Sequence, residues 1–399
     1  MKVLFVTGEF PPMVGGVGDY TDRLAGALCD RGDEAVVLTS SLPTKVAVAN
    51  TDAVWAGLPN AAVFYAVARW DFSAWKTVIA AIRAERPDVV HLQYQAAAFG
   101  TRGQITLLPW MLRSWNIRPL VVTTFHDLLS PHLFPLSGRV GLDRAAVGWL
   151  ASASDAVIAT NGEDRDRLKA LRVKRLWRAP IGSNIAAPPP SEFDRQAWRR
   201  QHGLGPEQLA LAYFGFYNAS KGLDELFTAF AKLLRERPTD RLFLIGGGTG
   251  QTDPTNVDYE RHLRQLVVDL GLTERISWVG YRDAAEISAY LIGADVVVLP
   301  FRDGVSLRRG TLMAALTHGC AIVTTRPSRP IPELEQHQAV VTYSAGEDGA
   351  LLAALESCTS VETRSRLRQG ALTAARQFAW PAIAATHSAM YRSLCREVT

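Results

Sequence analysis

The sequence predicts an α/β protein made of two successive doubly wound, Rossmann-like domains that face a cleft. Three observations carry that reading. Short β-branched runs alternate with amphipathic helical stretches along the chain, the pattern of parallel strands joined by crossover helices. The run AAPPP at residues 186–190 interrupts the alternation, and a proline series cannot continue a helix and forms a semi-rigid spacer. Several strands run into glycine-bearing turns that open helices, and open sheets of this kind bind ligands at the carboxyl ends of their strands.

Taken in order, the first half reads as strands at 3–7, 35–39, 63–67, 89–92, 120–124, 156–160 and 176–179. Its helices are expected at 18–31, 74–85, 139–153 and 163–171. Asn161, three residues before Asp164, has the spacing of a helix amino-terminal cap. Beyond the spacer, strands are expected at 209–214, 241–245, 276–279, 296–299, 321–324 and 340–342, and helices at 222–235, 259–270, 284–292, 310–318 and 350–357. Residues 364–396 read as helix with a break or kink at Trp380-Pro381. The expected domains are 1–187 together with 381–399, and 188–380.

Composition narrows the function. The 399 residues are 48% apolar and 21% charged, enough to bury two sizeable cores. The net charge, 43 basic minus 39 acidic or +4, is too small to argue for nucleic acid. Cys29, Cys320, Cys358 and Cys395 are widely spaced, without zinc or redox pairing, so a cytoplasmic compartment is expected. Met1-Lys2 leads straight into a strand, unlike a signal peptide, and no apolar run reaches membrane-spanning length. Arg165, Arg167, Lys169, Arg172, Lys174, Arg175 and Arg178 form a basic stretch, read as a solvated surface and, second, as a peripheral contact with anionic lipid.

Residues 294–325 are the most informative stretch: buried strand, polar loop at 301–310, apolar helix, Gly319 as a stop, second strand. Arg302, Arg308 and Arg309 lie where a helix amino-terminus favours anions. Residues 214–222, FGFYNASKG, also follow a strand; Ser220 is expected to cap the next helix and Lys221 to reach a phosphate. Gly246–Gly248 and Gly280-Tyr281 end two further strands. Together these turns suit a nucleotide diphosphate. The first loop, Gly8 to Gly18 with Gly15-Gly16, offers backbone for close approach to a phosphate or sugar. It is too long for a dinucleotide fingerprint, and the second strand ends in Thr39-Ser40-Ser41 without a ribose-binding acid. His91 and His126 end or follow strands at the same edge of one predicted sheet; His126 is the functional candidate, with Asp127 placed to orient its ring. Asp164 and Asp166 read as a solvated helix face, and no set of His, Cys and carboxylates has metal spacing, so no metal is expected.

These segments, in this order, resemble the GT-B glycosyltransferases of family 4, the retaining, glycogen-synthase-like group. The resemblance runs over Gly15-Gly16, TTFHD at 123–127, Asn161-Gly162-Glu163, FGFYNASKG with Lys221 on the lysine position, the stretch from Ile276 to Phe301, and the end helix from Phe378. It implies a glycosyltransferase that moves a sugar from a nucleotide-diphosphate sugar to a glycan, lipid-linked or small-molecule acceptor, without metal or cofactor. It implies an acceptor-side first domain, a donor-binding second domain and a terminal helix that crosses back to the first. His126, Lys221, Arg308 and Arg309 are then the expected catalytic residues. Gly15, Gly16, Gly215, Gly247, Gly280, Tyr281, Asp303, Ser306 and Gly310 join Lys221 and the two arginines in donor binding. Two departures stand out: Phe216 replaces the family's arginine, and Ser306 and Ala314 replace its paired glutamates. Arg308 or Arg309 is expected to compensate at the diphosphate, and Ser306 to bond a donor hydroxyl. The alternatives are an inactive sugar-nucleotide-binding or partner protein, and a nucleotide-sugar epimerase using Glu9, Asp19 or Asp127. Loops at 43–58, 96–103 and 130–137, with Trp55, Phe99 and Phe134, are the expected acceptor contacts. Sugar, base, acceptor and oligomeric state stay open.

Overall fold

The computed structural model describes residues 1–13, 15–42, 61–114, 119–131, 142–171, 173–185, 193–247 and 254–398. The spacer at 186–190, the loop residues Trp55 and Phe134, Arg172 and Gly248 lie outside the described residues. The chain divides into two compact units, Met1–Gly182 with Trp380–Thr399, and Ser183–Ala379.

Unit 1 runs β1 (Lys2–Thr7), α1 (Gly16–Cys29), β2 (Glu34–Ser40), β3 (Ala61–Val67), α2 (Ala74–Glu85), β4 (Val89–Tyr94), a 3-10 turn at Gln104–Leu107 leading into α3 (Leu108–Ser114), β5 (Leu120–Phe125), α4 (Leu142–Ala153), β6 (Ala156–Ala159), α5 (Gly162–Ala170) and β7 (Leu176–Arg178). Its strands are parallel, in the order β3-β2-β1-β4-β5-β6-β7. Val3, Leu4, Phe5 and Val6 are all fully buried, because helices cover both faces of the sheet. The first helix starts two residues earlier than predicted. Glu9 Oε1 accepts the Val17 and Gly18 N–H groups at 2.9 and 3.3 Å, which satisfies that first turn. The Asn161 cap is present: its Oδ1 accepts the Asp164 N–H at 2.9 Å. Asp164 corrects the expectation of a solvated acidic face. It is fully buried, and its Oδ2 accepts an Asn161 Nδ2–H at 2.6 Å.

Unit 2 continues with α6 (Arg195–Gln201), β8 (Ala210–Phe216), a 3-10 turn at Ala219–Lys221, α7 (Leu223–Leu233), β9 (Arg241–Gly247), α8 (Pro254–Asp269), β10 (Ile276–Gly280), α9 (Ala284–Gly293), β11 (Val296–Leu299), α10 (Gly310–Thr317), β12 (Ile322–Thr325), α11 (Pro332–Glu335), β13 (Val340–Tyr343), α12 (Ala350–Ser357) and α13 (Val361–Ala375). This second sheet is also parallel, in the order β10-β9-β8-β11-β12-β13. Helix α6 was not foreseen; a buried ion-pair cluster fastens it. Arg195 Nη2 and Arg199 Nη1 donate to the Asp295 carboxylate at 2.6 and 2.7 Å, and the Ala210 N–H adds a third bond at 2.9 Å. Burial alone would raise the Asp295 carboxyl, but these donors outweigh it and hold the group below the usual carboxylate range.

Ser220 does not cap α7. Gly222, in the left-handed region at φ +66°, is the cap residue, and Ser220 Oγ instead donates to Asn218 Oδ1 at 2.7 Å. The carboxyl-terminal stretch is broken into two helices, the break falling just before Trp380-Pro381. A 3-10 turn at Arg376–Phe378 follows α13, and α14 (Trp380–Val398) starts afresh, with Pro381 in its first turn where no intrahelical N–H bond is lost. Ile383, Ala384, Met390, Tyr391 and Leu394 of α14 join Phe5, Leu24 and Leu28 in one core of unit 1. Ser388 Oγ donates to Asp33 Oδ2 at 2.7 Å, and Asp33 Oδ1 receives the Met1 amino group at 3.1 Å.

Candidate functional site

In unit 2, β8 and β11 are neighbours although β9 and β10 intervene in sequence. The connections from these two strands therefore depart to opposite sides, and the crevice between them is the switch point at which open α/β sheets bind ligands. Both loops singled out from the sequence emerge there. Gly222 sets their approach: a Cβ at this position would lie 2.1 Å from the Pro300 carbonyl oxygen, so no other residue fits without displacing the end of β11. Lys221 is thereby held over the buried Phe301 ring, its Nζ 5.1 Å from the centroid. Arg309 meets the same ring with Cζ at 4.7 Å. Both contacts are cation–π pairs. Asp303 receives Arg309 Nη2, with Oδ1 at 2.5 Å.

Burial lowers the Lys221 ammonium to about 8; the Arg309 charge adds to the effect and Asp303 opposes it. Arg309 is also the residue preceding α10, and no side chain caps that helix, which leaves its amino-terminus facing the same place with its partial positive charge. Gly310 is open, since a Cβ there would meet nothing within 4 Å. The cluster thus combines two cations, an aromatic floor and a helix amino-terminus, which is the chemistry of an oxyanion site.

The structure separates the remaining predicted residues. Arg308 is exposed. Arg302 pairs with Asp224 in the first turn of α7. Ser306 is half-buried, and its carbonyl accepts the Arg309 N–H at 3.1 Å. Gly215 is the penultimate residue of β8, at φ +150°, where a Cβ would sit 3.0 Å from the Tyr213 hydroxyl. Gly247 and Gly280 leave open space around their backbones, and Tyr281 is 87% exposed beside them. Ala314, at one of the two positions departing from the paired glutamates, is fully buried.

In unit 1, His126 follows β5, with its N–H bonded to the Tyr94 carbonyl at 2.9 Å. Its Nε2 lies 2.9 Å from Gln93 Oε1, and Tyr20 meets its ring edge-on at 4.7 Å. Gln93 thus orients the ring, and Asp127 Oδ1 accepts the Leu129 N–H at 3.2 Å. Burial, with His387 nearby, lowers the imidazole to about 3, so it is neutral at physiological pH. Gln93 was missed; its signal was the alternation of His91 and Gln93 within an otherwise apolar strand. His91 is a buried scaffold residue, 2.6 Å from the Tyr391 hydroxyl and 2.7 Å from Thr124 Oγ1. Gly15 makes room for Glu9: a Cβ there would fall 2.1 Å from the Glu9 carboxyl carbon. The α1 amides expected to meet a ligand thus carry Glu9, while Gly16 is open. Among the described residues, no group of three or more His, Cys, Asp or Glu is arranged to hold a metal ion, and no helix is long and apolar enough to cross a membrane.

Comparison with known proteins bears on the family and the fold. Residues 14–182 match the family model Glycosyltransferase Family 4, and residues 208–360 match Glycosyl transferases group 1. Glycogen synthase of Mycobacterium tuberculosis is 27% identical over 327 residues, covering 75% of this chain and 72% of its own. D-inositol 3-phosphate glycosyltransferase of Jonesia denitrificans is 26% identical over 420 residues, covering 94% and 91%. Among solved structures, sucrose-phosphate synthase of Thermosynechococcus elongatus superposes with a TM-score of 0.75 at 18% identity, over 99% of both chains. Anabaena HepE in complex with UDP and glucose superposes with a TM-score of 0.71 at 18% identity, over 98% of this chain and 100% of that one. With both halves matched by glycosyltransferase models and each unit built on a doubly wound parallel sheet, the chain belongs to the GT-B glycosyltransferases of family 4.

Proposed function

We propose that the protein transfers a sugar from a nucleoside-diphosphate sugar to a hydroxyl acceptor, with retention and without a metal ion. The observation that carries this reading is the pairing of Lys221 and Arg309 over Phe301 at the uncapped start of α10. The donor diphosphate lies against these groups, and their charge stabilises the negative charge that grows on it as the glycosidic bond breaks. That supply of positive charge is what a metal would otherwise contribute. Of Arg308 and Arg309, Arg309 compensates at the diphosphate, and Ser306 bonds a donor hydroxyl. The base lies along the open backbone at Gly247 and Gly280, beside Tyr281. Unit 1 brings the acceptor, and neutral His126 positions a sugar hydroxyl. The acceptor attacks on the face that the diphosphate leaves, and a donor phosphate oxygen takes its proton.

Support for a nucleotide-sugar donor comes from HepE, solved with UDP-glucose. Support for a glycan or lipid-linked acceptor comes from relatives such as the phosphatidylinositol monomannoside mannosyltransferase of Mycolicibacterium smegmatis, 24% identical over 308 residues. Ala314, a buried methyl, favours a second reading in which the donor is bound but not used. Calorimetric titration of a panel of nucleotide sugars, followed by assay for donor turnover, separates the two. Lys221→Ala and Arg309→Ala are each expected to weaken nucleoside diphosphate binding roughly 10- to 150-fold, the loss of one charge-assisted hydrogen bond, and Arg308→Ala to leave it within about threefold. Unchanged affinity in both of the first two variants would overturn the site, and tight binding without turnover of any donor would establish the second reading.

A further inference from the structure

A row of polar side chains crosses the apolar interior of unit 1, from α14 to the end of β5. Tyr391, His91, Thr124 and Gln93 are fully buried, so the pairing within the row decides which ring nitrogens carry protons. The Tyr391 hydroxyl lies 2.6 Å from His91 Nδ1. Thr124 Oγ1 is 2.7 Å and Gln93 Nε2 3.4 Å from His91 Nε2. At the far end of the same amide, Gln93 Oε1 is 2.9 Å from His126 Nε2.

The amide makes the two histidines interdependent, because it can donate only from nitrogen and accept only at oxygen. Its nitrogen faces His91 Nε2, which must then be a bare acceptor, also receiving the Thr124 O–H. The His91 proton therefore sits on Nδ1 and is donated to Tyr391. The amide oxygen faces His126 Nε2, which must then carry a proton, leaving His126 Nδ1 as a lone pair. We propose that Tyr391, on α14, by accepting the His91 Nδ1–H, supports the His126 tautomer that the Gln93 amide sets. It is a positioning residue, which presents His126 Nδ1 as an acceptor for a substrate hydroxyl. This last consequence rests on the reading of His126 given above; the relay itself does not.

Removing one oxygen should therefore move two protons. In Tyr391→Phe the His91 Nδ1–H loses its acceptor, so the proton shifts to Nε2, where Thr124 Oγ1 accepts it. A proton on His91 Nε2 opposes the Gln93 amide hydrogens, the amide turns over, and its nitrogen then donates to His126 Nε2. His126 must switch to the Nδ1–H form.

Histidine-labelled full-length protein, read by long-range 15N–1H correlation, tests this directly. The wild type is expected to show His126 protonated on Nε2, and Tyr391→Phe to show it protonated on Nδ1 with the melting transition retained. Thr124→Val, which alters the same core but leaves the amide donating to His91 Nε2, should keep the wild-type tautomer. A wild-type His126 protonated on Nδ1, or a tautomer unchanged in folded Tyr391→Phe, would overturn the relay. With the switch seen, a fall in kcat/KM of tenfold or more in Tyr391→Phe, about 1.4 kcal/mol, supports the functional consequence. Unchanged kinetics alongside the switch would overturn that consequence while leaving the relay standing.

Discussion

Lys221 is the residue on which chemistry and environment pull in opposite directions. An anion site needs its charge, yet burial and the Arg309 guanidinium bring its ammonium down to about 8 from an ordinary 10.5. The sign follows from the protonated form being the binding form. In the free protein that form predominates below pH 8 and is lost as pH rises through it. Affinity for a nucleoside diphosphate is therefore expected to hold below that value and to decline above it, and titrations on either side of pH 8 check this. Lys221→Arg, with a guanidinium that does not titrate in this range, should flatten the decline while keeping binding. An equally steep decline in Lys221→Arg would assign it to another group. Lys221 and Arg309 were both legible in the sequence, since each follows a strand and precedes a helix. Phe301, which holds them together, and Gln93 and Glu9 were not. Their roles depend on contacts between loops that no local spacing encodes.

At the scale of elements, the turn between β8 and α7 is the least replaceable piece of the site. Gly222 combines a left-handed backbone with contact against the Pro300 carbonyl. Gly222→Ala is expected to cost roughly 1–3 kcal/mol, from backbone strain and steric overlap. It should weaken diphosphate binding as well, because the displaced turn carries Lys221. Denaturant unfolding and calorimetry report the two effects, and a variant matching the wild type in both would show that the end of β11 yields freely. The long strands and helices were legible because they repeat their pattern over several turns. Helices α3, α6 and α11 span only seven, seven and four residues, too few for a 3.6-residue period to show. What fixes α6 is Asp295, a hundred residues distant from Arg195, and such a partner is invisible until the sheet has formed.

The molecule as a whole is two sheets with separate cores, and its chain order differs from its structural order. Alternating strands and helices on either side of residues 186–190 made two sheets legible, but strand order was not, since hydrophobic runs do not name their neighbours. Unit 1 is completed by residues 380–398, which follow all of unit 2. A chain ending at Ala379 would remove Ile383, Met390, Tyr391 and Leu394, each at most 2% exposed. Burial of four such side chains is worth about 6–12 kcal/mol, comparable to the ~5–15 kcal/mol net stability of a whole domain. The truncated protein is expected to lose the native histidine resonances of unit 1 while retaining those of unit 2 and its affinity for a nucleoside diphosphate. Retention of native His91 and His126 signals would contradict this.

A ribosome makes the protein from the amino-terminus, so the sheet that emerges first is the one that waits longest for its final helix. Unit 2 has all its strands and its cation site in hand while β1 to β7 still lack the side chains that close their core. The His126 end of the polar row can be ordered only once Tyr391 of α14 is available to pair with His91. A product ending before residue 380 would therefore hold unit 2 beside an unfinished unit 1, whose open apolar sheet face would mark it for chaperones or proteolysis. In this chain, unit 1 is completed only after unit 2 has been made.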